Sequence, residues 1–483
     1  MKKFNNKLTA VLVLSIAAVL AGCTQTSTSS QPGSSSQQPS SSASSAPEVV
    51  TKEVEVYNGE AVTINFYHTM GEKLREVLDA TLIKFNDMYP NIKVNHSQVG
   101  SYNDVRDQIK TEISVGAQPN LAYCYPDHVA LYNQAKAVRT LDDFINSDIE
   151  QVDANGTKTK LGLTDEQKAD YIDGYYTEGQ AFGDGKMYTL PFSKSTEVLY
   201  YNKTFFDEHK LTVPTNWDEL EAVARQIKAI EPASIPLGYD SEGNWFITMA
   251  EQLGTGYTSA EEGNHYIFNN DGNKAWLTEL KGYFDEGLFT TKGLLSTYTS
   301  SLFTAAANPG EVCCYMCIGS SAGASYQSPS KDSEGNFPFN VEIAPIPQHD
   351  LNNPKAIQQG PSVCIFNDKD PQKVCASWLF VKYLSTNQEL QADMSKINGY
   401  TPILKSVSEI PVYKKWIEEG KDIQAKATKV CIEQRDSNFV SPSFVGSSQA
   451  RDQVGDALDA ILSGTKTVDQ ALQDAVDECE YSA

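Results

Sequence analysis

From Glu60 onwards the apolar positions of the chain switch between two periods. Val62 to Tyr67 alternates apolar and polar residues, which predicts a strand, and Glu72 to Met88 carries Leu74, Val77, Leu78, Leu82 and Phe85 at helical spacing. Pro90 stops that helix. Ile92 to His96 predicts the next strand, Tyr102 to Val115 a second helix, Leu121 to Cys124 a short strand, and Asp127 to Ala135 a third helix. Strand and helix in strict alternation predict an α/β chain with a doubly wound, mainly parallel sheet flanked by helices.

A second α/β block is predicted from Ser195. Val198 to Asn202 reads as a strand, Trp217 to Ala229 as a helix begun by Asn216, and Trp245 to Leu253 and Lys274 to Glu286 as further helices. Strands follow at 312 to 318, 341 to 344 and 362 to 366. After Asp370 the pattern is helical, over Pro371 to Leu384, Gln388 to Ile397, Val412 to Gly420, Ala450 to Ser463 and Val468 to Glu478. The strands near 312 and 341 have no adjacent partners in the second block, so they are expected to complete the first sheet. That gives an N-terminal lobe of 49–191 with 312–358 and a C-terminal lobe of 192–311 with 359–483. Two lobes joined by several hinge crossings enclose a cleft, where small ligands sit.

The first 47 residues break this pattern and contain no Asp or Glu. Lys2, Lys3 and Lys7 precede an apolar run from Leu8 to Leu20 that is too short to span a membrane. Leu20-Ala21-Gly22-Cys23 closes it and resembles the lipobox of bacterial lipoproteins, which implies removal of residues 1–22 as a signal peptide and lipidation of Cys23. Residues 24–47 include 11 Ser, a composition that cannot bury apolar surface, so 23–48 is expected to be a disordered tether. Such a chain spans roughly 27 Å r.m.s.. The folded part is then held beside the outer face of the cytoplasmic membrane, outside the bilayer.

Charge narrows the partners. The 62 acidic residues against 39 Lys and Arg give a net charge of −23, which argues against nucleic acid and against charge docking on an anionic membrane. Eight Cys besides Cys23 invite a disulfide reading. In a strand, however, Cys313 and Cys317 lie about 13 Å apart, and Cys314 and Cys317 point to opposite faces, so neither pair can meet. Buried thiols fit better. The six His are scattered and match no metal motif, and there is no phosphate or dinucleotide loop, so no metal and no cofactor is expected. Gly319-Ser320-Ser321-Ala322-Gly323 fits the nucleophile elbow of hydrolases, but the one downstream His, His349, leaves little room for the elements between. A Gly and Ser-rich turn opening a helix at the cleft is the alternative, a site for an anion or a polyol. The 24 Tyr, several at loop ends such as Tyr67, suit a polyhydroxylated ligand, as would a ring such as that of Trp245.

Several segments carry a resemblance. They are Phe66-Tyr67-His68-Thr69-Met70, Leu190-Pro191-Phe192-Ser193-Lys194-Ser195-Thr196, Val198-Leu199-Tyr200-Tyr201-Asn202-Lys203, Gly319-Ser320-Ser321 and Asn398-Gly399-Tyr400-Thr401-Pro402. With the lipobox and tether, the chain resembles the extracellular solute-binding lipoproteins of ABC importers of the sugar and polyol class, most nearly the glycerol-3-phosphate branch. The resemblance implies the two-lobed class II periplasmic-binding-protein fold. It also implies a monomeric, non-enzymatic receptor that passes a polyol, sugar, glycerol phosphate or glycerophosphodiester to the transmembrane subunits of a permease.

Carried over residue by residue, it implies ligand contacts from Tyr102, Asp127, Ser195, Ser320 or Ser321, Gly360, Tyr400 and Arg451. Asp127 departs from the branch, being shorter and displaced by one position. The alternatives are a neutral oligosaccharide receptor of the same fold, a secreted hydrolase using Ser321, and an adhesive surface lipoprotein.

Loss of residues 1–22 removes three Lys and no acid, taking the net charge from −23 to −26. A phosphate ligand therefore requires Arg451 and the turn at Ser320 and Ser321 to reverse the field locally; otherwise the ligand is neutral. On the phosphate reading, Arg451→Ala weakens glycerol 3-phosphate binding by about 1.5–3 kcal/mol in calorimetric titration. Unchanged affinity would remove Arg451 from the anion site.

Overall fold

Each predicted strand and helix of the first block forms. The computed structural model describes residues 54–306 and 312–482, so the lipobox, Cys23 and the Ser-rich tether lie outside the described residues. In chain order the strands are β1 (Val62–His68), β2 (Ile92–Gln98), β3 (Leu121–Cys124), β4 (Glu150–Val152), β5 (Lys158–Lys160), β6 (Thr189–Pro191) and β7 (Ser195–Asn202). They continue with β8 (Leu237–Tyr239), β9 (Phe289–Thr291), β10 (Met316–Ser320), β11 (Val341–Pro345), β12 (Ala356–Gln359), β13 (Ser362–Ile365) and β14 (Asn438–Phe439). The first sheet has the order β2-β1-β3-β13-β6. The second runs β14-β12-β7-β10-β8-β9, with β11 also paired to β7.

Two expectations are corrected here. Both sheets are mixed rather than mainly parallel: β1 pairs with β2 and β3 in parallel, but β13 runs antiparallel to β3 and β6, and β7 runs antiparallel to β10, β11 and β12. The strands near 312 and 341 do not complete the first sheet. β10 and β11 flank β7 in the second sheet, while β13, expected in the C-terminal lobe, joins the first. Seven of the eight residues of β7 are buried, a pattern that calls for ladder partners on both edges, and antiparallel partners can come from anywhere in the chain. The helices Pro371–Thr386 and Gln388–Asn398 likewise pack on the first sheet: Trp378, Leu379, Phe380, Leu384, Leu390 and Met394 share a core with Ile64, Phe66, Leu78 and Phe85. Residues 312–358 thus belong with the second lobe, and 359–398 with the first.

The second lobe buries both faces of its sheet. On one side the helices Trp217–Ile230, Glu242–Leu253, Asp271–Asp285, Ser447–Leu462 and Val468–Ser482 enclose Tyr239, Trp245, Phe246, Leu277 and Leu458. On the other, the helix Ile423–Gln434 packs Ala427, Val430 and Cys431 against Val198, Tyr200 and Cys317. The Cys residues at 124, 313, 314, 317, 364, 375, 431 and 479 are buried and in no disulfide, in line with their expected service as small apolar residues.

The lobes meet where three extended segments cross side by side, at 192–195, 359–362 and 400–403. Lys194 and Thr401 exchange backbone hydrogen bonds of 2.6 and 3.3 Å, and the Phe192 and Ser193 amides both donate to the Pro361 carbonyl, at 3.2 and 3.3 Å. The Lys194 ammonium, fully buried, is held by Glu178, by the Gly360 carbonyl at 3.1 Å and by Ser362 Oγ at 3.0 Å. Gly360 has φ +90°, and a Cβ there would lie 2.4 Å from the Ser193 carbonyl oxygen. The crossing is therefore closed to any side chain at 360.

Gly360→Ala is expected to lower stability by at least about 1–3 kcal/mol, the cost of the left-handed backbone alone. Lys194→Met, which strands the Glu178 carboxylate, is expected to lower it by about 3–5 kcal/mol. Urea unfolding followed by circular dichroism measures both, and wild-type midpoints would sink this account of the crossing.

Candidate functional site

Between the lobes lies a cleft of about 1070 Å³. Helix starts build its first-lobe wall. Ser101 caps the helix Tyr102–Ile113 in a capping box with Asp104, which places Tyr102 and Arg106 on the wall, and Pro126 begins the helix that carries Asp127 in its first turn. The Tyr102 and Tyr125 rings meet edge to face with centroids 5.0 Å apart, and the Gly360 amide donates to the Tyr125 hydroxyl oxygen at 3.3 Å. Tyr400 adds a third ring from the crossing.

Strand and helix ends of the second lobe supply the opposite wall. Ser320, the last residue of β10, donates to Ser195 Oγ at the start of β7, 3.3 Å away, and its own hydroxyl caps the following 3₁₀ turn through the Ala322 amide. Gly243 and Gly455 let the helices Glu242–Leu253 and Ser447–Leu462 touch: a Cβ on Gly455 would lie 3.2 Å from the Gly243 nitrogen. That close approach brings Asn244 Oδ1 to 2.7 Å from Arg451 Nη1.

Tyr102, Asp127, Ser195, Ser320, Gly360, Tyr400 and Arg451, all anticipated from sequence, thus line one cleft. Three others do not. Ser321 is fully buried, because one step along a 3₁₀ turn rotates its side chain away from that of Ser320. Its supposed partner His349 lines a different pocket beside Trp217 and Trp245, so the elbow is not assembled. Trp245 is 2% exposed and stacks on Tyr239 at 4.3 Å in the second-lobe core, one residue round the helix from Asn244 on the wall. Tyr67 points to the far side of β1, packs beside the Val105 and Ile109 core, and donates to Glu112 at 3.3 Å.

Arg451 is on the wall but already engaged. Its Nε lies 3.5 Å from Asp127 Oδ2 across the cleft, besides its bond to Asn244. Arg106, which the sequence reading did not single out, donates to Asp452 at 2.9 Å, again across the cleft. Also absent from the anticipated set are Glu197, Asp240, Glu242, Asp452, Asp456 and Asp459, acids that face the same space. One signal was present: Asp452, Asp456 and Asp459 recur at helical spacing opposite Val454, Ala457, Leu458 and Ile461, a pattern shared by any solvated helix face.

This wall carries charge at a cost. Burial pushes Glu197 up to about 7, opposed by the Tyr239 hydroxyl that donates to it at 2.6 Å, and burial with nearby Glu242 pushes Asp459 up to about 6. Asp240 is also raised, chiefly by burial, although Thr299 donates to its Oδ1 through backbone and hydroxyl, both at 2.7 Å. Among the described residues no group of three or more His, Cys, Asp or Glu is arranged to hold a metal ion.

Residues 80–420 match the bacterial extracellular solute-binding protein family. The chain belongs to that family. A sn-glycerol-3-phosphate-binding periplasmic protein of Salmonella typhimurium is 24% identical over 441 residues, covering 87% of this chain and 93% of the relative. An ABC substrate-binding protein of Listeria monocytogenes solved with cycloalternan superposes with a TM-score of 0.69 at 19% identity, over 87% of this chain and 99% of the other. UgpB of Mycobacterium tuberculosis, solved with glycerophosphocholine, gives a TM-score of 0.68 at 14% identity, over 87% and 98%. The fold is the two-lobed one of periplasmic binding proteins, and this solute-binding protein is the capture component of an ABC importer, not an enzyme. It acts outside the cytoplasmic membrane, and among the described residues no helix is long and apolar enough to cross a bilayer.

Glu197 gives a pH signature. Its folded value of about 7 lies above the ordinary 4.5, so the folded state holds the proton more tightly than the unfolded chain, and the associated stability is present below about 4.5 and lost as pH rises through 7. Glu197→Gln is expected to flatten the decline between pH 5 and pH 7.5 in a denaturant series. An unchanged slope would show that Glu197 is not the titrating group.

Proposed function

We propose that the cleft takes a neutral, polyhydroxylated solute of oligosaccharide size. The observation that carries this is the charge of the wall. Seven acidic side chains, Asp127, Glu197, Asp240, Glu242, Asp452, Asp456 and Asp459, surround the space with three cations, Arg106, Lys292 and Arg451; even with Glu197 about half protonated near pH 7 the acids outnumber the cations, and both arginines are paired to carboxylates of the opposite lobe. A phosphate placed there meets like charge, which costs several kcal/mol at a desolvated contact. Hydroxyl groups suit the same wall, because carboxylates, Gln358, Gln359 and Ser195 offer acceptors and Tyr102, Tyr125, Tyr298, Tyr326 and Tyr400 offer ring faces. The volume points the same way, since about 1070 Å³ is at the upper end for a ligand pocket and far exceeds a glycerol phosphate.

A second reading is a glycerol phosphate or glycerophosphodiester. It is favoured by the glycerol-3-phosphate-binding relatives and by the position of Arg451 on the wall. That ligand would have to draw Arg451 away from Asp127 and Asn244.

On either reading Cys23 carries the lipid, the tether holds a monomeric receptor at the outer face of the cytoplasmic membrane, and the lobes close over the solute and present it to the permease subunits.

A thermal-unfolding panel of maltotriose, cyclic oligosaccharides, glycerol 3-phosphate and glycerophosphocholine on the full chain separates the two. A solute at 100 times its Kd adds about 2.7 kcal/mol of apparent stability. The proposal expects an oligosaccharide to raise the midpoint and the phosphates to leave it in place. Stabilisation by the phosphates alone would replace it with the second reading.

A further inference from the structure

We infer that Arg106, Asp127, Arg451 and Asp452 form a crossed ionic latch that sets how readily the two lobes close. The four charges come from two places. Arg106 and Asp127 stand on the first-lobe edge of the cleft, on helices that follow β2 and β3, and Arg451 and Asp452 are consecutive on the second-lobe helix Ser447–Leu462. Each lobe therefore presents one cation and one anion. Arg106 Nη1 meets Asp452 Oδ2 at 2.9 Å and Arg451 Nε meets Asp127 Oδ2 at 3.5 Å, so both contacts join opposite charges. Asn103 adds a weaker bond to Asp452 Oδ1 at 3.4 Å.

Each pair joins one buried side chain to one that is about one-third exposed, 32% for Asp452 and 36% for Arg451. The Arg106 side chain is 12% exposed and that of Asp127 is 10% exposed, and Arg106 is steadied by Asp107 at 2.8 Å while Arg451 is steadied by Asn244 at 2.7 Å. Guanidinium groups fixed in this way have little orientation left to lose when the lobes meet. The arginine that resemblance gave to an anionic ligand becomes a positioning residue, and Arg106 and Asp452 join it in that role. Asp127 and Arg451 meet beside Glu178 and Gln358, and Arg106 and Asp452 beside Asn103, so the two pairs hold together cleft walls that must separate to admit solute. The inference rests on the interlobe cleft being the solute cleft, but its test contains no solute, so its failure is distinct from that of the proposed ligand class.

The test is hydrogen–deuterium exchange on the full chain for wild type, Arg106→Gln, Asp452→Asn and the charge exchange Arg106→Asp with Asp452→Arg. The two single variants are expected to raise exchange up to about fivefold, the Boltzmann equivalent of ~1 kcal/mol for one ion pair, at amides of 101–106 and 447–452. In wild type, 0.5 M NaCl should do the same, and strand amides such as those of β1 and β7 should keep their rates. The charge exchange should restore slow exchange, which a merely structural role would not produce. Unchanged edge rates in both single variants, or no recovery in the charge exchange, would overturn the latch. A variant that fails to fold reveals itself by fast exchange in β1 and β7, and the salt series on wild type then decides the outcome alone.

Discussion

The buried contact between Lys194 and Glu178 is the constraint from which the rest of the molecule takes its geometry. It sits where the chain passes between its two sheets, and it ties the strand entering the second lobe to the Gly360 carbonyl and Ser362 of the strand that returns. An ammonium removed from water must be surrounded by acceptors, so the carboxylate, the carbonyl and the hydroxyl are all required. Glu178 also accepts from Gln358 at 2.8 Å, which brings the second sheet into the same network. Polar groups satisfied in this way fix one relative placement of the crossing segments, and Gly360 lets them approach to the distance at which that network closes.

A cleft follows from such a crossing. The strand and helix ends that face it come from separate parts of the chain: the start of a helix near 102, another near 126, the end of β10, and the helix beginning at Ser447. The rings of Tyr102, Tyr125 and Tyr400 gather near the crossing, while carboxylates occupy the second-lobe wall. This division has a chemical consequence. Aromatic faces suit the apolar faces of a sugar ring and carboxylates accept its hydroxyl hydrogens, and on the proposed reading a polyol leaves both arginines paired with carboxylates. The raised values of Asp459 and Glu197 are the same fact in another form, for crowded and buried carboxylates hold their protons.

How much of this was legible beforehand varies by element. Helix Glu72–Met88 and strand Leu121–Cys124 are visible to the residue, because Pro90 and the apolar spacing act locally. Seven of the anticipated residues meet in the cleft, since turn and cap motifs at 101–102, 319–320 and 399–402 fix where those side chains emerge. Ser321 and Trp245 were misplaced by a single residue each. One step along a helix turns a side chain by about 100°, which separates wall from core.

The sequence by itself determined the α/β character, the two lobes joined by more than one crossing, and the class of protein, because hydrophobic period, turn chemistry and short motifs are local properties. Only the tertiary structure decided that β10 and β11 flank β7, that β13 returns to the first sheet, and that Arg451 answers Asp127. Strand neighbours and ion pairs depend on which surfaces meet after packing. Arg106 and Asp452 are 346 positions apart. Nothing along the chain marks such a pair until the crossing at Lys194 has set the lobes face to face.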